Sequence, residues 1–571
     1  TTLSATARDA DGQVVPNAAL TWKSSALTVA TVAAGVVTGK GAGSAEVTAS
    51  AGSVTSAPAT VTVTEAAPAA SYTLAVSADR LPVITGPSGS LSVTVTRDAG
   101  FTDAVTVALN GLLSGASAPS VTIPAGQASA TITVSAAASA PHSQPTAVTL
   151  KGTAGTQSVS KTITVTVRGP AGSLDTTFGA GGISKTPIGQ DSDYGYAAAV
   201  QPDGKVILVG SVKGPTFEDF GIARFTRDGA LDPTFGTGGK VVVDFAGAPD
   251  IARAVAVQAD GKIVVAGGTN VTGDAERFGL LRLSAGGSLD TTFGTGGKLT
   301  TAFTGSGGDR ASALLIQPDG KIVAGGQASF FRTSADSGVD FAVARYLPSG
   351  ALDSSFGTAG QVTTAMSTYG GSDKIFALAL QGDRIVAAGG DIFQVARYTA
   401  AGVLDTTFGT GGRVNTVFPG SSGATSVQVD AQQRLVVGGQ EQMNTAVVRL
   451  TENGALDSSF GSGGKTVLKL NPSNWNVTTG VALQTDGKIV TGNWVYEGNT
   501  SNDNFAVTRL NANGQVDAAF GTNGTTITKG AANTRSTARA ALLQPDDRIP
   551  ATRILLAGDS NYDFTLTRYW P

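Results

Sequence analysis

One six-residue pattern constrains this chain more than any other feature. Leu174-Asp-Thr-Thr-Phe-Gly179 returns at Leu231, Leu289, Leu352, Leu404 and Leu456, and as Val516-Asp-Ala-Ala-Phe-Gly521, in nearly even steps along the chain. A second signature, Gln201-Pro-Asp-Gly-Lys205, returns at Gln258, Gln317, Gln381, Gln484 and Gln544, weakened at Gln381-Gly-Asp-Arg384 and Gln544-Pro-Asp-Asp-Arg548. In the fifth unit only the flanking alternation survives, around Asp430-Ala-Gln-Gln-Arg434. A third signature is the arginine of an Ala-Arg-Tyr type strand: Arg224, Arg282, Arg345, Arg397, Arg449, Arg509 and Arg568. Each of the first six precedes the next Leu or Val by seven residues, so one fixed connection follows every such strand.

Each unit supplies about four strands: a Gly-Gly-Lys-Val type, a stretch ending in Gln-Pro-Asp-Gly, a Lys-Ile-Val-Val type and the arginine strand. Pro-Asp-Gly suits a tight hairpin, because Pro presets φ, Asp caps the turn and Gly accepts positive φ. Seven four-stranded units at this period predict a seven-bladed β-propeller over 172–571. The chain stops at Arg568-Tyr-Trp-Pro571, where another unit would run on to a Leu-Asp segment, and the segment at Leu174 is the missing continuation. Pairing Gly182-Ile-Ser-Lys185 with Phe564-Thr-Leu-Thr-Arg568 would close the ring with strands from both ends; the alternative is seven self-contained blades. These signatures resemble the delta-60 repeat, a β-propeller family abundant in surface and exported bacterial proteins. That resemblance implies a fold and carries no general activity.

The region before Leu174 differs. Over 1–66, short period-two stretches such as Leu3, Ala5, Ala7 and Val61, Val63 are broken by turns at Asp11-Gly12 and Gly41-Ala-Gly43, a small β-sandwich pattern. The order Arg8-Asp-Ala-Asp-Gly12, Thr21-Trp-Lys-Ser-Ser25, Val29-Ala-Thr-Val32 and Gly35-Val-Val-Thr-Gly39 resembles the group 2 bacterial Ig-like domain. The resemblance implies one further strand before Thr1: either the fragment is cut inside the domain, or another chain donates the strand. A linker, Glu65-Ala-Ala-Pro-Ala-Ala70, leads to a second Ig-like module over 71–168, with alternation at Leu91, Val93, Val95, at Val105, Val107, Leu109, at Ile132, Val134 and at Ile163, Val165, Val167.

The chain as a whole is therefore expected to be all-β. Its 76 glycines in 571 residues are nearly double the ~7% norm, and its 14% charged residues fall well below ~25%, as suits many turns and a surface of Ser, Thr, Asn and Gln. A net charge of -3 without runs of one sign removes the footprint that nucleic acid or an anionic membrane needs. No apolar run reaches the ~18 residues of a membrane helix, and a start at Thr1 places any secretion signal outside this sequence. With no cysteine and one histidine, His142, disulfides, Cys nucleophiles, Cys/His zinc sites and most imidazole chemistry are excluded. His142 lies in a loop composition, Ala140-Pro-His-Ser-Gln-Pro145, and is expected to be solvated.

The repeated Asp could mark a ring of calcium sites. One carboxylate per unit is thin for a cation that takes six to eight oxygens, so a turn-capping Asp paired with the repeated Arg is favoured. No glycine-rich segment has the P-loop Lys-Ser/Thr and following helix. No cofactor and no metal is expected. Function should lie where the units differ: in the segments from Ser211 to Phe220, Thr269 to Phe278, Ala328 to Asp340 and Asn493 to Asn504. Two carry aromatics, Phe330-Phe331 and Trp494-Val-Tyr496, with Trp475 nearby. Such rings suit stacking on sugars or anchoring a protein, although packing over a sheet edge explains them too. Candidate acids there are Glu218, Asp219, Asp336, Asp340 and Glu497, with nothing to set a pair at catalytic separation. The expected function is non-catalytic recognition or adhesion at the bacterial surface or outside the cell, the partner a glycan or surface protein. A self-associating subunit of a fibre or surface layer and a carboxylate-based glycan hydrolase or lyase are the alternatives.

Overall fold

The computed structural model describes the chain except for residues 66–70, 190, 246, 271–275, 304–307, 334–335, 367–371, 471–474, 497–502, 530–534 and 547–551, and the side chains of 331–337. Every regular element among the described residues is a strand. Most of the expected linker, from residue 66 on, lies outside the described residues.

In the N-terminal region Gly43–Ala51 pairs with Thr21–Ser24, Val54–Thr55 and Ala59–Val63, while Ala30–Ala33 and Val36–Gly39 form a separate two-stranded sheet. Their shared core is small: Ala30, Val37, Ala45 and Val47, with Trp22 and Leu3 packed against it. The alternation at Leu3, Ala5 and Ala7 does not become a strand; only the bridges Thr2 to Val36 and Arg8 to Val14 form. The Asp9 carboxylate accepts from the Asp11 and Gln13 amides and closes a turn over Gly12 that sets Ala7 opposite Val15, while Leu3 N–H donates to Gly35 O.

Residues 72–168 form two sheets over one core. One has the order Ala116–Ser117, Ser129–Ala136, Ser88–Arg97, Tyr72–Val76; the other runs Val121–Ile123, Val105–Asn110, Thr146–Ala154, Gln157–Arg168, Arg80–Ile84, its last pair parallel. Each residue of the four predicted alternations is buried in that core. The turn at Pro124-Ala-Gly126 carries the chain from one sheet to the other, with Gln127 N–H closing on Pro124 O.

From residue 183 onward the described residues form seven four-stranded antiparallel sheets. Sheets I to VI begin with Tyr194–Val200, Asp250–Val257, Arg310–Ile316, Ile375–Gln381, Ser422–Val429 and Asn476–Leu483, each followed by its next three strands in order. Sheet VII takes Ser536–Gln544, Arg553–Ser560 and Asp563–Tyr569 from the C-terminal end and Ile183–Thr186 from the opposite end of the array, in the register Ile183 to Thr567 and Thr186 to Phe564. The first strand of each sheet contacts the first strand of the next, and Ser536–Gln544 contacts Tyr194–Val200, so the cycle is complete. Seven apolar clusters lie between neighbouring sheets. The middle strands are covered on both faces, which is why they read as runs such as Val206-Ile-Leu-Val209 rather than as alternation.

The three signatures meet in one cluster per sheet. The repeated Arg places Nε 2.7 to 2.9 Å from the repeated Asp, and its guanidinium lies 4.5 to 4.8 Å from the Phe ring of Phe-Gly. The basic residue at the start of each second strand, a Lys after Asp-Gly in four sheets and Arg384, Arg434 or Arg553 in the others, reaches the same carboxylate at 2.7 to 3.5 Å. The hydroxyl two residues after the Asp donates to its Oδ1, as from Thr234 and Ser355, except at Ala519. In each of sheets I to V the Arg also donates to a carbonyl in the following repeat, for example Arg224 to Ala285 O. The Asp is thus a turn cap and counterion. The Ser355 hydroxyl holds the Asp353 carboxyl at about 2 against the opposing effect of burial, with help from Ser355 N–H, Arg345 and Lys321.

Candidate binding site

The first strand of every sheet breaks register once, between Gly195/Ala197, Ala252/Ala254, Ala311/Ala313, Ile375/Ala377, Ala424/Ser426, Thr478/Gly480 and Ala538/Ala540. The extra residue of a bulge is unpaired and its side chain re-aimed. A glycine on the second strand makes room: a Cβ at Gly210, Gly267, Gly326, Gly389, Gly439 or Gly558 would stand 1.7 to 2.0 Å from a first-strand carbonyl oxygen. Asn493 takes that position in sheet VI.

The seven bulge residues, Tyr196, Arg253, Ser312, Phe376, Thr425, Thr479 and Arg539, all line one cavity of about 560 Å³ where the first strands converge. The repeats keep the backbone here and vary the side chain. Arg539 and Arg253 come from the sheets flanking Tyr196, and their guanidinium carbons lie 5.5 and 5.1 Å from its ring centroid, within cation–π reach. Burial weakens the hold of Arg253 on its proton, and Tyr196 and Glu276 act against that effect. Nε of each of these two arginines is buried without a hydrogen-bond partner. Among the described residues that line it, these arginines are the sole charged groups.

Of the predicted site residues, Trp475 and Trp494 line this cavity, Trp475 with 53% of its surface exposed. Tyr496 is held beside them, its N–H donating to Trp475 O at 2.9 Å, yet does not line the space. Phe330 stands half-buried on the second strand of sheet III, opposite Gly338, away from the lining. The side chains of Phe331 and Asp336, and all of Glu497, lie outside the described residues. With Asp244 and Asp250, Asp219 forms, among the described residues, a group whose carboxylate oxygens lie within 4.8 Å of one another. Burial first, then Asp244 and Asp250, raise the Asp219 carboxyl. Two of the cluster's oxygens accept loop amides, from Phe245 and Gly247, and three carboxylates fall short of a full calcium shell.

The bulge ring was missed from sequence although a signal existed. Asp193, Asp250, Asp309 and Asp373, continued by Ser422, Asn476 and Ser536, each stand three residues before a cavity position. Each of the four carboxylates accepts an amide from the incoming loop, from Ile188, Phe245, Phe303 and Met366 at 2.6 to 2.8 Å, and so sets where the first strand begins.

The opposite end of the sheets, where the Gln-Pro-Asp turns lie, meets the second sandwich. His142 is not solvated. It is half-buried against Trp570, ring centroids 5.7 Å apart at 83°, and its Nδ1 accepts from Trp570 Nε1 at 3.1 Å and Thr176 N at 3.3 Å. Gln144 donates to Asp228 beside it. A loop composition signalled exposure, but the loop is covered by a distant part of the chain. A second cavity at this end, about 730 Å³, is lined by the repeated turns themselves, including Gln201, Gln258 and Gln317.

Five segments, 201–235, 258–293, 317–356, 434–460 and 484–520, match a family model described as a domain of unknown function (DUF5122) beta-propeller. The C-terminal part of the chain is therefore a propeller-like repeat array. Four of these segments run from the Gln of the turn signature to the Phe of Phe-Gly, so the matched motif spans the Arg, Asp and Phe of the cluster above. No curated protein matches the chain. Among solved structures, domains 4 and 5 of the S-layer protein SbsC are 26% identical over 29% of this chain and 80% of that one, with a TM-score of 0.15. The Yersinia pseudotuberculosis adhesin InvE is 17% identical over 28% of this chain and 51% of its own, with a TM-score of 0.13. A DUF4784 family protein from Bacteroides caccae is 10% identical over 80% of this chain and 95% of its own, with a TM-score of 0.27. At these TM-scores none of the three bears on how this chain is arranged.

Proposed function

We propose that the seven sheets are the blades of one closed propeller of the delta-60 type, 172–571, carried on two Ig-like modules, 1–66 and 71–168, and that the whole is a non-catalytic recognition or adhesion protein of the bacterial surface or extracellular space. The observation that carries this reading is polarity. The second sandwich is joined to the Gln-turn end of the array through His142, Gln144 and Trp570, while the chemically varied cavity lies at the other end. A binding head held by one end leaves the other for a glycan or surface protein. Two tryptophans with exposed ring area at that end suit such contact. The glycan-processing alternative draws no support from a cavity lined by arginines, aromatics and hydroxyls. The test is binding of the full chain to intact bacterial cells and to isolated surface glycans, beside a Trp475→Ala, Trp494→Ala variant. Binding that falls at least tenfold in the folded variant supports the reading; a folded wild-type chain that binds neither contradicts it.

A second reading, a subunit of a fibre or surface layer, is favoured by the N-terminal module. It exposes Val14, Val15, Leu27, Val36 and Val54 over a four-residue buried core. Concentration-dependent assembly by light scattering, lost on truncating residues 1–66, distinguishes it.

A further inference from the structure

We infer that the cavity is a site for an acidic saccharide, its carboxylates held by Arg253 and Arg539 and its sugar faces by the surrounding aromatic rings. This rests on the recognition reading and names its ligand class. Three features of the site converge on it.

The first is charge. The bulge turns one side chain per sheet inward, and two of the seven are arginines, which flank Tyr196 on either side. The carboxylates that interact with them, Glu276 with Arg253 and Asp559 with Arg539, do not line the cavity, and Glu276 is also engaged by Arg310 at 3.3 Å. Among the described lining residues the cavity therefore offers cationic donors and no competing anion. Among the described residues no acceptor engages the buried Nε–H of either arginine. Guanidinium donors match carboxylate geometry in a way a neutral ligand cannot use.

The second is the form of the apolar surface. Tyr196 comes from sheet I, Phe376 from sheet IV, and Trp475 and Trp494 together from sheet VI. Rings spread around a space contact a ligand on several faces, as pyranose C–H faces require. The third is the remaining lining, Ser312, Thr425, Ser426, Thr479, Gln428 and Gln440, hydroxyl and amide groups that both donate and accept and so suit a polyol. A volume of about 560 Å³ falls within the usual range for small-ligand sites and takes a short oligosaccharide.

The test is an array of oligosaccharides in matched pairs, each a uronate-bearing oligomer and its carboxyl-reduced neutral counterpart, probed with the full chain. The expected result is binding to at least one acidic member, at least tenfold weaker for its reduced counterpart. An Arg253→Gln, Arg539→Gln variant, shown folded by an unchanged thermal transition, should lose the preference for charge, whereas Trp475→Ala should weaken both members of a pair together. Equal binding of acidic and reduced members, or an unchanged preference in the double arginine variant, overturns the acidic site and leaves recognition standing. Absence of binding to every saccharide by the folded chain overturns the acidic site as well; if cell binding persists, the partner is a protein, and if it does not, the recognition reading falls with it.

Discussion

A single carboxylate is the most heavily used group in each repeat. Asp353 accepts from Ser355, pairs with Arg345 and Lys321, and through Arg345 is tied to the next repeat at Ala400 O. Arg345 and Asp353 are both nearly inaccessible to water, so removing one charge leaves the other buried without its counterion. Replacing Asp353 by Asn, which keeps the shape, is expected to cost about 3–5 kcal/mol, read from chemical denaturation; a loss below about 1 kcal/mol would show that the neighbouring donors suffice. The pairing of the repeated Asp and Arg was legible because both recur in every unit. The cavity residues were not, because Tyr196, Arg253, Ser312, Phe376, Thr425, Thr479 and Arg539 share a place in space and no chemical identity.

Among elements, the bulged first strand and the glycine opposite it act as a pair. A Cβ at Gly326 would stand 1.9 Å from Arg310 O, and backbone on both sides has no slack to give. Gly326→Ala is therefore expected to lower stability by roughly 1–3 kcal/mol and to move Ser312 out of the cavity. Gly286→Ala, whose Cβ would meet only Ser284 Oγ at 3.8 Å, should stay within about 0.5 kcal/mol. Thermal unfolding of the two variants side by side checks this, and equal effects would refute the steric account. The closing strand shows the same dependence on partners. Ile183–Thr186 is four residues long and becomes a strand by pairing with Phe564 to Thr567. Its sequence resembles the other Gly-Gly-Lys-Val strands, which is how the pairing could be anticipated, whereas Leu3, Ala5 and Ala7 alternate as well and gain only isolated bridges beside them.

For the whole molecule, one imidazole takes part in the joint between sandwich and array, beside the Gln144 to Asp228 hydrogen bond. His142 accepts two hydrogen bonds at Nδ1, so it serves only while neutral. Burial depresses its affinity for a proton, with Arg553 acting in the same direction and Asp175 in the opposite one. A base whose folded-state pKa lies below its ordinary value of about 6.5 contributes its stability above that value and loses it as pH falls through the folded pKa. The single imidazole NMR resonance is thus expected to titrate below 6.5, with faster hydrogen exchange at Trp570 and Thr176 at pH 5 than at pH 7. Titration at or above 6.5 would contradict the geometry.

Repetition and alternation encode part of the molecule directly: an all-β chain, the seven units, the hairpin turns, the Arg and Asp that pair, and the apolar faces of the second sandwich. Those properties are local or are stated seven times over, so each unit corroborates the others. Folding in three dimensions sets which side chains share the cavity, brings Trp475 and Trp494 to it while leaving Phe330 away, and puts His142 under Trp570. These outcomes depend on contacts between residues far apart in the chain, 428 positions apart for His142 and Trp570, and closing the cycle of sheets is what brings such residues together.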